Sequence, residues 1–372
     1  MRARATLVLA SAVLAALVTP AFGHAAVGVV ASRCQSLDAP SDGSGGTALL
    51  SIEFSSRTTG WAAGGDRVVR TPDAGSHWSV SYQRAGAGLF AVDAYNDREA
   101  WVLGAHGIAR TSDGGRNWHW APFAALPSKC PAISEIDFYS PQRGVAISGH
   151  TLLVTGDGGR AWRLLTSPGD MQSVCFSDVD HGWAGSHGRV YRTVDGGAKW
   201  SLAVAGPRMD KAERRITAAV VQCAGPSAGW AELNIGGAAM NQSPHVGYHL
   251  SAAGSRPIFS EGYFPYAGLP KLPSSPGSEP ATFSAISPSR AAYVDFCPAC
   301  GYGTSEVEVF TGEDRHGRSY TVRHISAARG AAFLSPTSGW VIGQTSFASK
   351  HMHWRIEHTT DGGKTWVTQY QL

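Results

Sequence analysis

Three sets of residues have types and spacings suited to chemistry. Asp73, Asp113, Asp157, Asp195 and Asp361 each stand in an octapeptide of the form T-x-D-x-G-x-x-W, closed by Trp78, Trp118, Trp162, Trp200 and Trp366. Carboxylates at regular intervals are raw material for metal sites and for acid and base catalysis. Here they are dispersed one to a repeat, and an Asp between Thr and Gly in a turn bonds its own backbone. They are therefore read as turn formers. Cys297-Pro298-Ala299-Cys300 is a C-x-x-C, the spacing of redox dithiols and zinc half-sites. It follows a strand-like run rather than opening a helix that would lower a thiol pKa, which favours a local disulfide clip over those alternatives. His351 and His353 alternate as two metal ligands on one strand face would, but no third ligand is evident in the sequence, and a solvated face is the preferred reading.

The elements that position these groups are repeats. Gly supplies positive φ in each octapeptide and Trp a large ring to pack beneath the turn. A short β-rich run ending in Gly-Trp or a relative precedes each one: Phe54 to Trp61, Val92 to Trp101, Phe138 to Val145, Phe176 to Trp183, Cys223 to Trp230, Ile286 to Tyr293 and Phe333 to Trp340. Two degenerate versions of the motif fill the remaining places, at Ser251 to Pro257 and Thr311 to Tyr320. Seven such units of four short strands predict an all-β, seven-bladed propeller over residues 47–372. From the second-strand landmark to the Asp position the spacing is 12 residues in the first four units and 22, 22 and 21 in the last three. The added residues are expected in the hairpins between second and third strands, building a one-sided crown over blades 4 to 7 together with the connectors 201–218 and 258–282.

Arg2 and Arg4, the apolar run Ala5 to Val18, Pro20 and the small residues that follow predict a signal peptide over 1–25, an extension over 26–46 and an exported protein with no membrane span after cleavage. Six cysteines in such a chain favour disulfides. Cys175 and Cys223 fall on inner strands of adjacent blades with opposite directions and are candidates to pair across the interface. Cys34 and Cys130 would then remain to each other. Charged residues make up 16% of the chain and the net charge is +3, too little and too dispersed for a nucleic-acid surface. No cofactor is expected, and a monomer is.

Candidate partner contacts lie on the crown. Arg208, Lys211, Arg214 and Arg215 form the densest charge run and suit an acidic partner, with a solvated loop as the plain alternative. Tyr263, Phe264, Tyr266 and Tyr302 stand outside the repeat frame, where aromatics serve either as anchors or as plugs of the ring's mouth.

The octapeptides are the Asp-box, or BNR repeat, of sialidase-like propellers. With their preceding residue, as in Arg110-Thr111-Ser112-Asp113-Gly114-Gly115-Arg116-Asn117-Trp118 and His358-Thr359-Thr360-Asp361-Gly362-Gly363-Lys364-Thr365-Trp366, and with the Gly-Trp strands, they resemble the photosystem II stability/assembly factor family over roughly residues 47–372. That resemblance implies an exported, non-enzymatic assembly propeller with a protein or envelope partner. The rival reading is a sialidase-like glycoside hydrolase. Such chemistry needs an arginine triad, a Tyr-Glu pair and an acid Asp, and the Arg-Ile-Pro that usually announces the triad is absent; Arg256-Pro257-Ile258 is a poor match in the wrong blade.

Overall fold

The computed structural model describes residues 48–123, 133–207, 216–235, 243–261, 269–297, 304–311, 318–345 and 353–372. The expected signal segment and extension, with Cys34, lie outside them. Seven four-stranded antiparallel sheets succeed one another, at 51–83, 89–122, 133–164, 173–205, 216–261, 279–322 and 327–371, and the described residues contain no helix. Each sheet uses four consecutive strands, so blade 7 is built wholly from 327–371 and borrows no strand from blade 1. The expected seven-bladed propeller is the observed fold.

The boxes form as their residue types dictate. In all five, Thr Oγ1 donates to Asp Oδ1 at 2.9–3.0 Å and accepts from the box Gly N–H at 2.8–3.0 Å. The Asp also accepts, at 2.8–3.0 Å, from the backbone N–H four residues on. The box Gly residues hold φ from 82° to 96°, which a side chain would strain. These bonds favour the ionised carboxylate: the His77 side chain and backbone hold Asp73, and the Asn117 backbone and side chain hold Asp113, at a pKa of about 2.

Burial divides the tryptophans differently from the sequence pattern. The strand residues Trp61, Trp101, Trp183, Trp230 and Trp340 are at most 1% exposed. Among the box tryptophans only Trp366 is buried, while Trp78, Trp118, Trp162 and Trp200 are half-buried. The reason is position, since the second strand is sandwiched within its sheet and between blades while the box closes the outer edge. Trp101 stacks on Phe138 of the next blade at 3.8 Å and donates Nε1–H to Gly158 O of that blade's box at 3.0 Å.

One residue on each inner strand ties its blade to the next. Glu53 accepts from Ala94 N–H at 2.8 Å, Asp93 from Phe138 N–H at 2.6 Å and Asp137 from Phe176 N–H at 2.5 Å. At the same place between blades 4 and 5 stands the expected Cys175–Cys223 disulfide, with Cα atoms 5.6 Å apart. Gln222 then accepts from Ala285 N–H at 2.7 Å and Ser284 from Phe333 N–H at 2.9 Å. The corresponding residue of blade 7 is Ala332, which has no side-chain acceptor, and blade 7 meets blade 1 through the Phe54–Trp340 stack at 3.7 Å, the apolar cluster around it and a hydrogen bond from Gln369 Nε2 to Ala74 O at 3.2 Å.

This frame corrects one landmark. In blade 6 the Trp position is Ala292, paired with Ser284, rather than Tyr293. One residue further on, Tyr293 points to the opposite face. There it is fully buried, donating to Ala231 O of blade 5 at 3.1 Å and packing on Phe283, Phe259 and Phe310.

Candidate functional site: the loop-bearing face of blades 5 to 7

The first four blades turn from second to third strand in two residues, as between Gly64 and Arg67 or between Ser186 and Arg189. Blades 5, 6 and 7 instead separate those strands by 236–244, 298–303 and 345–353. The added residues do not all go to the hairpins, as the spacing had suggested. In blades 5 and 6 part of them prolongs the ladder, and the second strands Ala228–Ile235 and Arg290–Cys297 run 8 residues against 5 in the regular blades.

A buried charged cluster stands where the prolonged ladders begin. His245 of blade 5 places Nε2 3.0 Å from Asp295 Oδ2 of blade 6 and donates Nδ1–H to Ser243 O at 2.8 Å. Both side chains are fully buried, and Glu232 near them is 3% exposed. Burial opposes the charge on His245, but the Asp295 carboxylate, its hydrogen bond and Glu232 outweigh it and raise the imidazole to about 9. Glu232 is pushed up to about 8 by burial, with Asp295 adding to the rise and His245 opposing it. Phe259 closes over His245 with ring centroids 5.8 Å apart. A hydrogen-bonded His–Asp pair with the charge of Glu232 nearby has the residue types of acid–base chemistry, yet all three side chains are buried. Their arrangement makes an ionic fastening between blades 5 and 6 beneath the face that carries the long hairpins.

Sequence reading missed this cluster because its members lie on three strands and share no motif. The available signal was polar residues set into apolar runs, Ala231-Glu232-Leu233 and Val294-Asp295-Phe296. Conversely, the contacts singled out from sequence, Arg208, Lys211, Arg214, Arg215, Tyr263, Phe264, Tyr266 and Tyr302, lie outside the described residues, as do Cys130, Cys300 and His351. The strands and connectors that flank these residues open on the long-hairpin face. Cys297 ends the second strand of blade 6, paired with Thr304. His353 is exposed, its Nδ1 3.3 Å from Leu372 O. Among the described residues no group of three His, Cys, Asp or Glu side chains is placed to hold a metal, and no helix is long and apolar enough to cross a membrane.

With these positions fixed, comparison is informative. No family model and no curated protein matches the chain. Among solved structures, YCF48 bound to D1 peptide superposes with a TM-score of 0.53 at 15% identity, over 82% of this chain and 92% of that one. YCF48 from Cyanidioschyzon merolae gives 0.51 at 17% identity, over 82% and 94%. The chain is similar in fold to YCF48. An ancestral GH74 enzyme also superposes, with a TM-score of 0.50 at 13% identity over 95% of this chain and 48% of that one. A peptide-bound protein and an enzyme thus share the scaffold, and the fold by itself assigns no chemistry.

Proposed function

We propose that the protein is an exported, non-catalytic binding propeller of assembly-factor type that takes a protein or peptide segment on the long-hairpin face of blades 4 to 7. The observation that carries this reading is the asymmetry of the ring. Four blades keep two-residue turns on that face and three consecutive blades replace them with long connections. Variable loops on a rigid scaffold are where recognition concentrates. The hold of YCF48 on a D1 peptide supports a peptide-like ligand for such a ring. In this proposal Arg208, Lys211, Arg214 and Arg215 steer an acidic partner, and Tyr263, Phe264, Tyr266 and Tyr302 anchor it.

The test is capture of partners from the organism's own envelope fraction by the mature protein, with the four basic residues and the four aromatics replaced by Ala as separate sets. Each set should weaken capture of one specific partner without changing the melting temperature, and capture by the wild type should weaken with added salt. Capture that survives both sets and is lost on altering the box face would overturn the placement. Turnover of a sialoside or glucan by the pure protein would replace the reading with the glycosidase one.

A further inference from the structure

Two of the short turns on the same face carry a second feature, independent of the long hairpins. The second-to-third strand turn of blade 3 is Gly149-His150 and that of blade 4 is His187-Gly188. Both positions of each turn hold positive φ, 50° and 75° at Gly149 and His150 and 39° and 81° at His187 and Gly188, as a two-residue hairpin turn that follows the sheet twist requires. Their rings meet across the blade boundary, with centroids 6.2 Å apart and planes inclined at 46°.

Both are held by one dipeptide. Met171 N–H donates to His150 O at 2.9 Å, and the His150 ring places Nδ1 3.3 Å from Met171 O. A carbonyl only accepts, so Nδ1 carries the proton and Nε2 presents its lone pair. Gln172 takes His187 N–H on Oε1 at 2.8 Å, donates its own N–H to Gly185 O at 2.8 Å and donates Nε2–H to Thr217 O at 2.7 Å. A backbone carbonyl on the distal ring nitrogen and a braced backbone are what fix a metal-binding imidazole in tautomer and direction.

We propose that His150 and His187 form a two-imidazole site for a borderline divalent transition-metal ion, with Cu²⁺ preferred over Zn²⁺. Two imidazoles sharing an ion about 2.1 Å from each nitrogen have centroids about 5 to 6 Å apart, close to the 6.2 Å at which these two rings stand. Imidazole nitrogen suits copper, nickel and zinc, and the general order of divalent stability places copper first. The remaining coordination positions face solvent and take water.

The experiment is calorimetric titration of the untagged mature protein with Cu²⁺, Zn²⁺ and Mg²⁺ salts, paired with electron paramagnetic resonance of the Cu²⁺ form. One Cu²⁺ per chain, bound more tightly than Zn²⁺ and showing coupling to two imidazole nitrogens, is expected, with no uptake of Mg²⁺. His150→Gln and His187→Gln should each weaken Cu²⁺ by about tenfold or more, with unchanged circular dichroism, while His353→Gln leaves the affinity as it was. Absence of one-to-one binding, affinity that survives both substitutions, or loss of the ion in His353→Gln would overturn the assignment. Because the readout involves no protein partner, its failure is separate from failure of the proposed binding function.

Discussion

Blades 1 to 4 and blades 5 to 7 solve the same packing problem by different means. In the first group each box is intact and each of the first three junctions is closed by a carboxylate that takes the next blade's backbone N–H. In blade 5 the box has eroded to Ser251 through Pro257, yet Ala252 N–H still donates to Ser227 O at 2.8 Å, much as Ala74 N–H donates to Thr58 O in blade 1. The junction to blade 6 then rests on Gln222 and on the buried His245–Asp295 contact. Where a blade keeps its box, the box braces the outer edge. Blade 7 is enlarged and keeps its box; where the box has eroded, in blade 5, the bracing lies inward, in a neutral amide and a buried His–Asp contact between blades 5 and 6. The box is thus one way to secure a turn, and its loss is tolerated when longer strands supply other contacts.

The comparison can be broken most forcefully at the tryptophans. Trp101→Ala removes a fully buried ring and should cost about 3 to 5 kcal/mol in denaturant unfolding, whereas Trp162→Ala, half-buried in its box, should cost about half as much. Equal losses would mean that the box and not the strand carries the packing. Next in size is the disulfide. Its partners are 48 residues apart, and Cys175→Ala with Cys223→Ala should cost about 3 to 4 kcal/mol through the freed unfolded chain. Asp at position 175 with Ala at 223 should recover part of that loss by restoring the carboxylate link of the earlier junctions.

The buried acids sharpen the contrast through pH. Burial raises Glu232 of blade 5 and Glu135 of blade 3 to about 8 from 4.5, so the folded state favours the protonated carboxyl; that contribution is complete below about 4.5 and is lost as pH rises toward 8. His245, raised to about 9 from 6.5, adds stability below about 6.5 that is lost as pH climbs through 9. Urea midpoints should therefore fall from mildly acidic to alkaline pH, and Glu232→Gln should flatten the slope. A midpoint that rises across this range would contradict the assignment. The smallest effect belongs to the boxes. The Asp113 carboxyl should titrate at about 2 by NMR, leaving the box bonds intact through mild acid; a titration near the ordinary value of 3.8 would mean that these bonds do not persist in solution.

Seven blades were legible because seven Gly-Trp-type runs repeat and each of the five intact boxes marks one turn by four residues, Thr, Asp, Gly and Trp, whose roles are local. The Cys175–Cys223 pairing was legible because strand direction and repeat phase fix which side chains oppose each other. Blade 6 was read one residue out of phase because Tyr293 imitates the Gly-Trp landmark, and only the bond from Phe333 N–H to Ser284 reveals Ala292 in that place. The acceptors Glu53, Asp93, Asp137 and Gln222 lay in view, each one residue before the end of its inner strand, and Ser284 three before the end of its own, but a polar residue in a strand does not announce its partner. Glu232, His245 and Asp295 were hidden for a related reason: their meeting depends on how two neighbouring sheets are phased, which no local pattern encodes.

Blade 7, made wholly of its own four strands, gives the ring a mechanical direction. Drawn apart by Ala48 and Leu372, the molecule has no shared strand to shear at the contact of blade 7 with blade 1, where Ala332 offers no side-chain acceptor, so the circle parts there first and blades peel away singly from either end. The chain between Cys175 and Cys223 bears no load while its covalent bond holds, and about 160 Å of extension stays hidden until a reductant releases it.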